Sequence, residues 1–288
     1  MIQKFLIVTA DDFGLDEAVN DAVRQGVLGG VLTAASLMVA APATAAAVRL
    51  AMTLPQLRVG LHLVLADGAA VLPRRLVPAL VDSRGRFPDG MLLSSVRFVA
   101  SRGVREQLAA EIRAQFEKFA ATGLELDHVN VHKHFHLHPT ILEMLLRIGG
   151  EFGAFAVRVP QEPLWFAMRS GGLAATATAA PLLPWLGRMR RRLRASGMIC
   201  NDQVFGLACS GRLDKTTMLA ILARLPAGVT EIYLHPAVAT SGPITKSMRS
   251  YRHSDELAAL LDPAVANAVA ASRAARGGYA DLRRLANR

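Results

Sequence analysis

The stretch Phe5-Leu6-Ile7-Val8-Thr9-Ala10 carries no charge and then breaks into Asp11-Asp12-Phe13-Gly14. A strand with one face in water alternates apolar and polar residues. An unbroken apolar run marks a strand covered on both faces, and that cover comes from helices flanking a parallel sheet. The run therefore predicts an α/β fold, with two carboxylates at the carboxyl end of a buried strand.

The pattern recurs along the chain. Apolar strands are expected at 34–39, at 58–63 with His62 near the end, from Asp127 through the histidines, at 156–159 and at 231–234 before His235. Helical periodicity lies between them: after Asp16, at 42–54, 105–121, from Pro139, and at 214–225. Helices at 255–261 and 263–275 and a short last strand near 278–282 close the chain. Residues 66–104 are irregular, and residues 160–200 break the rhythm with Trp165, Gly171-Gly172, Pro184-Trp185 and an arginine cluster. Six or more strand–helix units with polar residues at the strand ends favour an irregular (β/α) barrel, TIM-like, with helices outside. No linker or internal repeat divides the chain. The expectation is one domain over 1–288, with a basic and apolar insertion at about 160–200.

Composition narrows the class. Hydrophobic residues are 52% and charged residues 19%, which excludes a disordered chain. Residues 26–48 carry no charge, but they are rich in Ala, Gly, Thr and Ser with Pro42 inside, a strand and a helix start rather than a membrane span. Two cysteines offer no disulfide framework, and the N-terminus shows no signal-peptide plan; a cytoplasmic location is expected. The net charge of +10 comes mostly from arginine, notably Arg188 to Arg194. Aromatics are 6% and do not interleave with the basic residues, so nucleic acid is not expected as a partner. An anionic membrane surface, the inner face included, stays open as a peripheral contact, as does a homodimer.

Five of the eight histidines fall in Asp127-His-Val-Asn-Val-His-Lys-His-Phe-His-Leu-His-Pro139. If this stretch stays extended, His132, His134, His136 and His138 share one face. In a parallel α/β fold all strand carboxyl ends open on one side, so Asp11, Asp12, His62, the histidine row and His235 converge there. One carboxylate with two imidazoles is a donor set that holds a divalent metal and leaves positions open on it. Alone, Asp11-Asp12 is a helix-capping pair, His62 a core histidine and the row a surface tract; their joint occurrence at strand ends favours a site. There is no Gly-x-Ser-x-Gly elbow and no phosphate-cradling glycine loop.

Thr9-Ala-Asp-Asp-Phe-Gly14, Val59-Gly-Leu-His-Leu63, Asn130-Val-His-Lys-His-Phe-His136 and Leu234-His-Pro236 resemble, in order, the four motifs of the YdjC-like carbohydrate deacetylases. The resemblance implies an irregular (β/α) barrel, a divalent metal ion (Zn²⁺ or Mg²⁺) and hydrolysis of an N-acetyl group on an N-acetylglucosamine unit. Carried over by motif, Asp12, His62 and His132 are the metal ligands, Asp11 the base, and His235 stands on the leaving-amine side. His134, His136, Arg158 and Trp165 are candidates for substrate contact. Asn130 stands where many members of that family carry Asp, which removes a charge behind the metal. The histidine row and the insertion are most similar to the hopanoid-biosynthesis-associated branch, which implies a glycosylated hopanoid lipid as substrate. The alternatives are a soluble chitooligosaccharide substrate, or a non-catalytic metal- or nucleic-acid-binding protein.

Overall fold

The computed structural model describes residues 4–89 and 101–286. Its strands are β1 (Lys4–Phe13), β2 (Ala34–Leu37), β3 (Arg58–Leu63), β4 (Val129–Val131), β5 (Gln203–Phe205), β6 (Gly228–Leu234) and β7 (Ala275–Arg276). The sheet order is β4-β3-β2-β1-β6-β5, and every pairing is parallel. β1 sits at the centre. It pairs with β6 along residues 4–10; on its other side β7 covers Phe5 and Leu6, and β2 takes over from Thr9. Phe5, Leu6, Ile7, Val8 and Ala10 reach no solvent, as the unbroken apolar run demands.

Helices cover the outside: α1 (Glu17–Gly29), α2 (Thr44–Met52), α3 (Arg102–Ala120), α4 (Pro139–Glu151), α5 (Leu164–Ala179), α6 (Leu183–Ala195), α7 (Lys215–Leu222), α8 (His253–Leu261), α9 (Pro263–Ala271) and α10 (Tyr279–Ala286). Asp16 caps α1 by accepting from Ala18 N, and His138 caps α4 by accepting from Thr140 N ahead of Pro139. The charge-free stretch 26–48 is the end of α1, β2 and the start of α2; among the described residues no helix is long and apolar enough to cross a membrane.

The sheet curls. Val129 N donates to Ala156 O at 2.9 Å and Val157 N to Ile199 O at 3.0 Å, while Val204 N donates to Gln161 O at 2.9 Å. The stretch expected as a strand at 156–159 thus bridges from β4 toward β5 through isolated pairs. The interior it helps enclose is polar: Thr9, Ser36, Asn130, Arg158 and Glu231 are all buried.

Three expectations are corrected. The histidine row does not stay extended: β4 ends at Val131, and His132–Leu137 is a 3-10 turn in which Lys133 (φ 53°) and His134 (φ 56°) are left-handed. The residues on one face are therefore His128, Asn130 and His132, the row read backwards from the turn. The last strand is not near 278–282 but at Ala275–Arg276, where the expected helix 263–275 has already ended at Ala271. Residues from Tyr279 form α10 because the buried carboxylate of Asp127 accepts the backbone N–H groups of Tyr279 and Ala280, opening a helix turn. Residues 160–200 contain α5, kinked at Gly172 (φ 67°), and α6; β5, only three residues long, follows unannounced by periodicity. Of the irregular stretch 66–104, residues 90–100 lie outside the described residues.

Candidate metal centre

Successive side chains on a strand point to opposite faces, so Asp11 and Asp12 need a device to serve one site. The device is a break in register between Ala10 and Phe13, with Asp12 at φ 63°. Asp is among the residues that tolerate this left-handed conformation best. Asp11 keeps the inward direction, and Asp12 turns to meet the ends of β3 and β4.

There Asp12 Oδ1 lies 3.3 Å from His62 Nε2 and 3.3 Å from His132 Nδ1, and the two imidazole nitrogens are 3.1 Å apart. One ligand atom from each of the three lies within 4.8 Å of the others, all buried. Among the described residues neither oxygen of Asp12 receives a hydrogen bond. A buried carboxylate without donors, facing two imidazole nitrogens, fits a divalent cation better than it fits any protein partner. Two nitrogens and one oxygen in an open arrangement suit Zn²⁺ better than the all-oxygen preference of Mg²⁺. Burial lowers the pKa of His62, but the carboxylate of Asp12 at 3.3 Å and the charge of Asp11 outweigh it and the imidazole is raised. A proton and a cation compete for this cluster.

Asp11 is held differently. Arg158 Nη1 donates to its Oδ2 at 2.5 Å and Nη2 to its Oδ1 at 2.9 Å; Asn130 Nδ2 adds 2.9 Å to Oδ1. Burial raises its pKa, yet the Arg158 charge and hydrogen bonds and the His62 charge win and hold it well below the usual carboxylate range. Asp11 therefore stays ionised. Arg158 also donates to Glu231 Oε1 at 2.7 Å and lies 4.6 Å from the Tyr233 ring centroid.

His235 follows β6, with Nε2 4.0 Å from Asp12 Oδ2 and its ring 5.0 Å from Tyr251 and 5.5 Å from Tyr233. Burial lowers its pKa more than Asp12 and Asp11 raise it. A cavity of about 290 Å³ opens onto this set; its walls include Asp11, His62, His132, Lys133, Tyr233 and His235.

A profile described as YdjC-like protein matches residues 5–271. The chain belongs to the YdjC-like family. A carbohydrate deacetylase of Brevibacillus brevis is 41% identical over 162 residues, 56% of this chain and 59% of the relative. One from Geobacillus stearothermophilus is 29% identical over 262 residues, 90% of each. The aligned part is thus little more than half the length of the first relative and nearly all of the second. A solved structure from Enterococcus faecalis, a candidate cellobiose-phosphate cleavage protein, superposes with a TM-score of 0.74 at 23% identity over 97% of this chain and 99% of its own. That likeness extends to the fold.

In this YdjC-like chain Asp11, Asp12, His62, His132 and His235 come together. The remaining candidates are scattered. His134 walls the cavity, its Nε2 3.4 Å from Tyr233 Oη, and burial keeps it neutral with a pKa well below the ordinary value. His136 is buried, its pKa lowered to about 4 by burial, with Nε2 donating to the Arg158 carbonyl at 2.8 Å. Arg158 sits behind Asp11, away from solvent. Trp165 lies on α5, edge-to-face with Phe166 and tilted against Phe205, with the Arg224 guanidinium over its ring. Reasoning from motifs missed Tyr233 and Tyr251. Tyr233 was within reach, since it precedes His235 by two residues on one strand; Tyr251 carried no such signal.

Proposed function

We propose that the protein is a metal-dependent carbohydrate N-deacetylase, releasing acetate and a free amine from an N-acetylglucosamine unit. The observation that carries this reading is the pairing, in one cavity, of a three-donor cation cluster with an ionised Asp11 and with His235. A divalent cation held there supplies a Lewis acid for an amide carbonyl and makes nearby water more acidic. Asp11, fixed by Arg158, accepts a proton from the attacking water. His235, in its protonated form, donates one to the departing nitrogen, because an amine leaves poorly as an anion. The names of the Brevibacillus and Geobacillus relatives support this chemistry.

The preferred substrate in this reading is a glycosylated hopanoid lipid of the N-acetylglucosaminyl bacteriohopanetetrol type. In support, a second cavity of about 360 Å³ adjoins the first, sharing His134 and Leu207, and is walled chiefly by Leu137, Leu182, Leu183, Leu186 and alanines of α5. A sugar in the polar cavity then has an apolar space for its aglycone. Residues 163–201 contain no acidic residue, and Arg188, Arg191 and Arg192 on α6 are exposed, which suits an anionic membrane surface. The bridges at residues 156–157 favour taking the curled sheet as an irregular (β/α) barrel. Acetate release from an N-acetylglucosaminyl hopanoid, compared with release from N,N′-diacetylchitobiose, tests the reading. Faster turnover of the lipid supports it, faster turnover of the soluble sugar replaces the substrate, and release from neither removes the activity.

A further inference from the structure

Behind the cation cluster runs a chain of hydrogen bonds that the chemistry above does not use. His128 Nδ1 donates to Asp127 Oδ2 at 2.8 Å, and Ser36 Oγ donates to His128 Nε2 at 2.9 Å. Asn130 Nδ2 donates to Ser36 Oγ at 2.8 Å and to Asp11 Oδ1 at 2.9 Å, while its Oδ1 accepts from His62 Nδ1 at 2.7 Å. The order Ser36–His128–Asp127 is that of a nucleophilic triad. Ser36 and His128 reach no solvent, however, so no substrate meets the hydroxyl.

The directions of these bonds follow from one end. Asp127 accepts the backbone N–H groups of Tyr279 and Ala280 and is an acceptor toward His128 as well. His128 then carries its proton on Nδ1, and its Nε2 is a lone pair. The Ser36 hydroxyl donates to that lone pair and turns its own toward Asn130. Only one orientation of the Asn130 amide satisfies the three groups around it. Reversed, its oxygen would face the Asp11 carboxylate, and its NH₂ would face His62. With the amide fixed, the neutral His62 ring holds its proton on Nδ1 and turns Nε2 toward Asp12 as the ligand atom.

Strand register makes the chain possible. His62 stands opposite Asn130, and Gly60 opposite Ser36. β3 lies between β2 and β4, so Ser36 and His128 meet across it. They do so because Gly60 has no side chain; a Cβ there would fall 2.5 Å from His128 Cε1 and Nε2.

We infer that Ser36, His128 and Gly60 are positioning residues for the cation site, fixing the tautomer of His62 through Asn130. This rests on the metal reading given above, and the test separates the two. Long-range ¹H–¹⁵N NMR of the ion-free protein, at a pH high enough that the His62 ring is neutral, reads its protonated nitrogen, and isothermal titration with Zn²⁺ reads affinity. In the wild-type protein the proton is on Nδ1. Ser36→Ala mixes the tautomers and weakens Zn²⁺ binding roughly 10–100-fold, the range expected for outer-shell partners of a ligand histidine. Gly60→Ala, which displaces His128 without removing a polar atom, moves both readings the same way. A wild-type proton on Nε2 overturns the inference however the variants fold, as does a Ser36→Ala protein with wild-type tautomer and affinity. A wild-type protein with the Nδ1 proton that takes up no Zn²⁺ supports the ordered chain and sinks the metal reading instead.

Discussion

Arg158 closes both of its terminal nitrogens on Asp11, at 2.5 and 2.9 Å, with both side chains buried. The same guanidinium neutralises Glu231, which also accepts from Thr9 Oγ1 and Tyr279 Oη. One cation thus holds two buried carboxylates, and Asp11 is an oriented anion before any substrate arrives.

Removing that cation leaves two buried negative charges facing each other. Arg158→Met should destabilise the protein by about 3–5 kcal/mol. Arg158→Lys should fall between, keeping the charge but losing the planar fork. Urea denaturation of the ion-free proteins at neutral pH measures both; equal stability of the Arg158→Met variant and the wild type would contradict the role assigned to the pair.

Another buried carboxylate, Glu256, has no ion-pair partner among the described residues. Glu256 accepts from Leu213 N at 2.9 Å and His235 N at 2.6 Å, and burial, with Asp11 and Asp12 adding to it, pushes its pKa up to about 8 from 4.5. Between those values the folded protein keeps a proton that the unfolded chain releases. Its contribution is full below about 4.5 and lost as pH rises through about 8, at about 1.4 kcal/mol per pH unit. Denaturation across this window should show stability falling with pH, and Glu256→Gln should flatten the slope.

Gly211 has φ +71° and its missing Cβ would collide with the ring of Tyr251. Gly211→Ala should cost about 1–3 kcal/mol of stability. It should also shift Tyr251 away from His235 and lower kcat/KM roughly tenfold or more, while Zn²⁺ affinity stays at the wild-type value. Parallel kinetics and metal titration check this.

Ala179 lines the apolar cavity. Ala179→Phe should occupy that space, raising KM for an N-acetylglucosaminyl lipid while leaving turnover of N,N′-diacetylchitobiose unchanged. An equal effect on both substrates would detach this cavity from the aglycone.

The central strand and its two carboxylates were legible because burial on both faces leaves a mark that needs no partner: Phe5 to Ala10 could sit nowhere else. The strand-end residues were legible for a similar reason, since parallel topology gathers His62, His132 and His235 whatever the loops do. The turn at His132–Leu137 was not. Alternating histidines look extended on paper, and only the left-handed Lys133 and His134 end the strand. Arg158 was a candidate for substrate contact; the structure buries it against Asp11 and Glu231, 147 and 73 residues away, partners that no local pattern marks. The same distance hid the role of Asn130, whose neighbours are set by register with β3. Helix α10 depends on Asp127, some 150 residues earlier, and local propensity there says little.

The most direct measurement is acetate release from an N-acetylglucosaminyl lipid by chelator-treated protein, with and without one equivalent of Zn²⁺ returned. Release should vanish on chelation and return with the ion for the wild type. With Asp12→Ala it should not return, and Asp11→Asn should bind the ion yet turn over ~10²–10⁴-fold more slowly. Undiminished release from metal-stripped protein, or an Asp12→Ala protein restored by the ion, would contradict a cation shared by Asp12, His62 and His132.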